Sequence, residues 1–306
     1  MAFAIFLSIG AYAQTADIGM ETRMSLHTTT GFQADRLSLF AKGDINTKWS
    51  YSFFHNLHKT IEPTDILKAT DKLFVGYAPS ARWSFQLGKV PLAVGSWEFD
   101  ASPIDVYYYS RLNDSYNAFQ LGASCQYNFK NGKDAIMLQF ARSALAAVGQ
   151  YNRFSYNLMW LGNHGPAHFI YSFNAEQYDT GFRYLACLGT RVTFDRFSAY
   201  VDFMGAHWSD YDSKLFQTLM ACLRADWRII PILSVFAKFT ADKDRDLYRG
   251  IRYGGGVEFF PLNGSDDLRI HIQVNRENSN EKKNALASLG VKWRIHFYRK
   301  YAEKQR

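Results

Sequence analysis

Fifteen bases, Arg23, Arg36, Lys42, Lys72, Arg82, Arg153, Arg183, Arg191, Arg224, Arg228, Lys238, Arg252, Arg269, Lys292 and Arg294, take alternate positions in stretches whose remaining residues are largely apolar. Only four acids, Glu21, Asp202, Asp226 and Glu258, share that alternating polar set. A guanidinium group offers a fork of donors matched to oxyanions, and an ammonium group acts as a point charge. Gathered on one surface between low-dielectric walls, such an excess raises the local anion concentration and repels cations. The chemistry is therefore attraction and hand-over of anions. Arg36, Lys72, Arg82, Arg183, Arg191, Arg224, Lys238, Arg252, Arg269, Lys292 and Arg294 are assigned as the anion-attracting lining.

The elements that must position these bases are strands. Leu289, Val291, Trp293, Ile295 and Phe297 alternate with Ser288, Gly290, Lys292, Arg294 and His296, so one face is apolar and the other polar. The same pattern places Leu268, Ile270, Ile272 and Val274 against Arg269, His271, Gln273 and Asn275, and Phe119, Leu121, Cys125 and Tyr127 against Gln120, Ser124, Gln126 and Asn128. Segments of about ten residues suit tilted strands crossing a bilayer. A chain that is 17% aromatic yet has a mean hydropathy of -0.25 supplies outward rings without any long apolar helix.

Connection lengths organise these strands. Short turns fall at 44–47, 78–80, 130–133, 163–166, 195–196, 230–231 and 262–265, and longer polar stretches at 58–68, 90–117, 146–152, 241–248 and 275–284. Short periplasmic turns and long extracellular loops alternate in this way in bacterial outer-membrane barrels. Trp49, Tyr77, Trp83, Tyr127, Phe129, Trp160 and Trp227 flank the short turns, where an aromatic girdle belongs. The fold class expected is all-β: an antiparallel transmembrane β-barrel of about sixteen strands with a water-filled lumen. Residues 1–13 read as a truncated signal peptide ending Ala11-Tyr12-Ala13, residues 14–297 as the barrel, and 298–306 as a basic periplasmic tail. That tail accounts for part of the net charge of +7, so the basic balance is no argument for nucleic acid.

Other chemistry is thinly represented. His55 and His58 lie three apart in a strand and so on opposite faces, and no metal site or cofactor is assigned. Cys187 and Cys222 point inward with one strand between them, beyond disulfide reach, and Cys125 faces lipid. Gly254, Gly255 and Gly256 suggest a strand kink. A barrel lipase or deacylase needs Ser and His together on the outer wall near the rim, whereas Ser25, Ser50, Ser84, Ser288, His271 and His296 all point inward. A barrel plugged by charge networks is the other alternative, against which the four inward acids are too few for fifteen bases.

The stretch Arg36-Leu37-Ser38-Leu39-Phe40-Ala41-Lys42-Gly43 before Trp49-Ser50-Tyr51, the step Phe85-Gln86-Leu87-Gly88-Lys89-Val90-Pro91-Leu92, and the aromatic-ended last strand resemble the phosphate-selective porins O and P of Gram-negative outer membranes, particularly the Bacteroidetes versions. The resemblance implies an outer-membrane, sixteen-stranded, homotrimeric channel for phosphate or other small anions, in contact with the lipid bilayer and lipopolysaccharide and inserted by the barrel assembly machinery. It also implies that the third extracellular loop, 90–117, folds into the pore and sets its constriction. That loop carries Trp97, Glu98, Asp100, Asp105, Tyr107, Tyr108, Tyr109 and Arg111. It is acidic where the family's narrowing is basic, which favours passage of anions in general over selection of phosphate. Its rings offer a second reading, a slide for sugars in a general diffusion pore.

Overall fold

In the computed structural model, residues 13–301 are described apart from 61–64, 66, 115, 147–149, 151, 211–216, 246 and 263–264. The leader expected over 1–13 therefore lies outside the described residues save for Ala13, and so does the tail from 302 onward. The strands are β1 (Ala16–His27), β2 (Gly31–Asp44), β3 (Trp49–Asn56), β4 (Thr70–Tyr77), β5 (Trp83–Pro91), β6 (Phe119–Asn128), β7 (Asp134–Arg142) and β8 (Phe154–His164). They continue as β9 (Ala167–Gln177), β10 (Phe182–Phe194), β11 (Phe197–Trp208), β12 (Thr218–Ile230), β13 (Leu233–Asp244), β14 (Tyr248–Phe259), β15 (Leu268–Ser279) and β16 (Lys283–Lys300). Each pairs antiparallel with its neighbours in sequence, and β1 pairs with β16 to close the barrel. Closure leaves no unpaired sheet edge, as a bilayer requires.

Alternation sets the two faces. Leu87, Leu188, Trp227 and Ile272 are half or more exposed and point to lipid, while the residues between them face the lumen. A slip of one residue would carry an inward Arg or Lys to the lipid side at about 2–4 kcal/mol each near midplane. Cross-strand rings form the girdle at the short turns: Trp49 packs tilted against Tyr77 with centroids 4.6 Å apart, and Trp83 against Tyr127 at 4.8 Å. Gly132 and Gly165, each at φ 65°, make two of those turns with backbone that side chains disfavour.

Three expectations change. The stretches 241–248 and 275–284 are mostly strand, because a ladder of backbone hydrogen bonds continues past the apolar band whatever the side chains are. β16 likewise runs on through Tyr298, Arg299 and Lys300, past the boundary expected at 297, since a bulge at Ile18/Gly19 lets β1 pair with it as far as Ala16↔Lys300. Gly254, Gly255 and Gly256 sit in unbroken register rather than at a kink. A Cβ on Gly256 would stand 2.8 Å from the Phe236 ring, so this glycine makes room for an inward aromatic.

Candidate functional site: a loop folded into a basic lumen

After β5 the chain turns into the barrel, and residues 92–118 cross the lumen before β6 begins. Two one-turn helices, Trp97–Asp100 and Arg111–Asp114, and a 3₁₀ turn at Pro103–Asp105 shape this loop. Its apolar side chains Leu92, Val94, Leu112 and Tyr116 pack on Leu185, Cys187, Tyr200, Met204, Met220 and Cys222 of β10–β12. A polar lumen is the norm for a wide barrel. Here the wall under the loop also carries an apolar patch, and burial there supplies the non-directional part of the attachment.

Polar groups fix the register. The Asp202 carboxylate on β11 accepts from Ser96 Oγ at 2.9 Å, Trp97 N at 2.9 Å and Glu98 N at 2.8 Å, which satisfies the start of the first short helix. Glu98, fully buried, accepts from Ser110 N at 2.8 Å, from Ser110 Oγ at 2.5 Å, and from Asn113 and the Lys238 ammonium. Lys238 also donates to the Tyr108 carbonyl at 2.5 Å, and the Tyr108 hydroxyl donates back to the Lys238 carbonyl at 2.6 Å. Asp105 lies 2.6 Å from Arg269 and 3.6 Å from Lys292, and Lys292 lies 2.6 Å from Glu258, which accepts from the Tyr107 hydroxyl at 2.7 Å. Burial alone would raise the Asp105 carboxyl, but Arg269 and Lys292 outweigh it and hold it below the usual carboxylate range.

The seven lining bases on this side are therefore anchors. Arg183 pairs with Glu176, to which Tyr116 donates. Arg191 stacks on the Trp97 ring at 3.8 Å. Arg224 binds Asp226 at 2.8 Å and the Asp105 carbonyl at 3.1 Å. Arg252 lies 3.1 Å from Glu277 and donates to the Tyr109 carbonyl at 2.8 Å. With Lys238, Arg269 and Lys292 they meet carboxylates of the wall or of the loop, loop carbonyls or the Trp97 ring instead of open water. Arg82 differs again: it sits exposed in the turn after β4, off the lumen wall. Arg111, at the outer mouth, lies 2.8 Å from Glu281 and 4.2 Å above the Tyr248 ring.

A cavity of about 1010 Å³ lies open between the loop and the wall of β1–β9 and β16. From the wall it is lined by Arg36, Lys42, Lys72, Lys89 and Arg294, and from the loop by Trp97, Asp100, Asp114 and Tyr109. Glu21 lies 3.2 Å from Arg294. Among the described residues no carboxylate comes within ion-pair distance of Arg36, Lys42 or Lys72; Arg36 donates to Asn56 Oδ1 at 3.2 Å. Burial pushes the Tyr109 phenol up to about 12, so it faces the cavity as a neutral hydroxyl. Tyr107 and Tyr108 are spent on the wall contacts above and so are not free to line a slide for sugars.

Sequence reasoning missed Glu176, a buried inward acid readable from the alternation of β9, and Lys59 and Lys89 at the outer mouth. It could not find Asp35, which reaches Ser25 Oγ at 2.5 Å and His27 at 2.8 Å only because a bulge opposite Arg23/Met24 turns it inward. That hydrogen bond commits the Ser25 proton to Asp35, and the nearby His271 Nε2, at 3.4 Å, lies inside the lumen, so this Ser–His pair does not stand at the outer rim.

Solved structures of outer-membrane proteins, porins among them, share this architecture. A loop-deletion form of OmpT, an outer-membrane protein of Vibrio cholerae, superposes with a TM-score of 0.61 at 9% identity over 92% of this chain and 99% of that one. An anion-selective porin from Comamonas acidovorans gives 0.61 at 9% identity over 92% and 98%. A trimer form of OmpT gives 0.59 at 9% identity over 92% and 99%. At such identity the likeness is one of fold. No curated protein matches the chain. The model of the family described as phosphate-selective porin O and P matches residues 16–182, from the first strand to the start of β10 and so across the loop and most of the basic cavity wall. The chain is an outer-membrane channel protein, a member of the phosphate-selective porin O and P family.

Proposed function

We propose that small anions, phosphate among them, cross this porin by passive diffusion along the β1–β5 and β16 side of the lumen. The observation that carries this reading is the trio Arg36, Lys42 and Lys72, which lines the cavity with no carboxylate at ion-pair distance among the described residues. Lys89 at the outer end and Arg294 near the inner end extend the positive side, while Asp100 and Asp114 face it from the loop. A permeating anion is drawn to the wall by several competing sites, none enclosing it, which suits passage more than capture. The zero-current potential of the purified protein in a planar bilayer under a KCl gradient tests the reading. A chloride-selective potential supports it, and block of the chloride conductance by millimolar phosphate adds an oxyanion site; a cation-selective potential overturns it.

The same reading includes a homotrimer. β3 and β4 have eight residues and β5 nine, against thirteen in β10 and β12. At about 3.3 Å per residue and a tilt near 40°, eight residues rise only about 20 Å, less than the apolar band of about 25 Å. Protein of neighbouring copies packed there relieves the mismatch. The OmpT relative is described in a trimer form. Light scattering of the detergent-extracted protein, corrected for detergent, reads the stoichiometry.

A further inference from the structure

The inward face of β7–β9 changes chemistry just below the loop. Where the loop is fastened, its residues are the amides Gln139, Asn157 and Asn174. Gln139 Oε1 accepts from Ala93 N at 2.8 Å and from Asn157 Nδ2 at 2.9 Å, and Asn174 Nδ2 donates to the Ala93 carbonyl and to Asn157 Oδ1, each at 2.8 Å. Two residues nearer the short turns, the same alternation carries Met137 and Met159 instead, and then Leu161. Met137 and Met159 are direct cross-strand partners, and Leu161 pairs with Ile170 in the same way. All four line the open cavity, with Phe99 lining it from the loop, and Met137, Met159 and Leu161 are only partly buried. A water-filled lumen calls for polar inward groups, so an apolar strip left facing it points to a solute with an apolar part.

We propose that this porin passes aryl-alkyl monocarboxylates, the carboxylate drawn along Arg36 and Lys72 while the ring moves over the shelf of Met137, Met159 and Leu161. This rests on the reading of the lumen as an anion path and names a solute class for it. Three ladder spacings, about 14 Å along the wall, separate β4 from β7, so a solute with a charged head and an apolar body meets both strips as it passes. Thioethers on unbranched side chains adapt to a passing shape and make favourable contacts with ring edges, which singles out an aromatic body over an aliphatic one. A single charge suits the arrangement, because a second charge on the body would lie against hydrocarbon at a desolvation cost. Inorganic anions use the bases alone and gain nothing from the shelf.

Chloride current through the purified full chain in a planar bilayer tests it, with phenylacetate, acetate and phenylacetamide as blockers. Phenylacetate is expected to halve the current at a concentration about tenfold or more below that of acetate, and the neutral amide to leave the current unchanged. The double change Met137→Gln/Met159→Gln, close to the parent in size, and separately Leu161→Asn are each expected to raise the half-blocking concentration of phenylacetate about fivefold or more, with that of acetate where it was. A shift in gel mobility on boiling shows that each variant has folded into a barrel. Parental block by phenylacetate in either folded variant overturns the proposal. Phenylacetate and acetate blocking alike, or the amide blocking as well as the acid, in a channel that still gives a chloride-selective potential overturns the proposal and leaves the anion path standing. A cation-selective potential removes the anion path and the proposal with it.

Discussion

The two halves of the inner wall carry the same kinds of base and use them oppositely. Under the loop, on β10–β16, the Lys238 and Lys292 side chains are 3% and 1% exposed and each meets a carboxylate. On β2–β4, Arg36, Lys42 and Lys72 face an open cavity. The difference teaches that an inward base is a selectivity element only where no carboxylate of the protein reaches it. A base that meets a buried carboxylate is a fastening, and its field is cancelled within a few ångströms.

The comparison breaks most visibly at Glu98. Glu98→Ala leaves the Lys238 ammonium buried without its carboxylate, at about 3–5 kcal/mol. The loop is expected to undock, so single-channel conductance rises and becomes noisy, and Cys187 and Cys222, buried beneath it, begin to react with a charged thiol reagent. Unchanged conductance and thiols that stay silent would show that the apolar contacts alone hold the loop. The paired change Glu98→Gln/Lys238→Met is expected to sit closer to the parent than either single change.

A smaller loss is expected from Asp202→Ala, which strands three donors at the start of the first loop helix, at about 1–3 kcal/mol. Hydrogen exchange read peptide by peptide checks it: faster exchange should be confined to 96–100, and a barrel-wide change would sink the local role given to this residue.

Acid tests the Asp105 fastening. Its carboxyl is held below its unfolded value, so its contribution is full at neutral pH and is lost only as pH falls through the depressed value. The stability difference between the parent and Asp105→Asn should therefore stay constant from pH 7 to about 5 and shrink below the ordinary carboxylate range. A difference that already fades near pH 6 contradicts the assigned geometry.

The open half gives the smallest effect on stability. Arg36→Ala and Lys72→Ala should change it by about 1 kcal/mol or less, because neither leaves a buried carboxylate without its partner. Both should nevertheless move the zero-current potential toward cations, and Lys292→Met on the covered half should not. Equal shifts in all three would erase the distinction between the halves.

Much of this was legible in one dimension. Leu289 to Phe297 against Ser288 to His296 declares a strand with one lipid face, and repetition of that pattern with sorted connections declares a closed barrel. The loop was legible as a long acidic stretch, because Glu98, Asp100, Asp105 and Asp114 lie close together in the chain. Its partners were not, because Glu98 and Lys238 are 140 residues apart and Asp202 lies 104 from Glu98. Alternation tells which way Lys238 points and is silent on what it meets.

The sequence by itself determined the faces of the wall, since side-chain direction in a strand is a local property with a period of two. Only the tertiary structure decided which inward bases stay wet and which are fastened under the loop. That depends on where a connection of some 27 residues, 92–118, comes to rest across the barrel, which is a matter of long-range packing and charge pairing that no local pattern encodes.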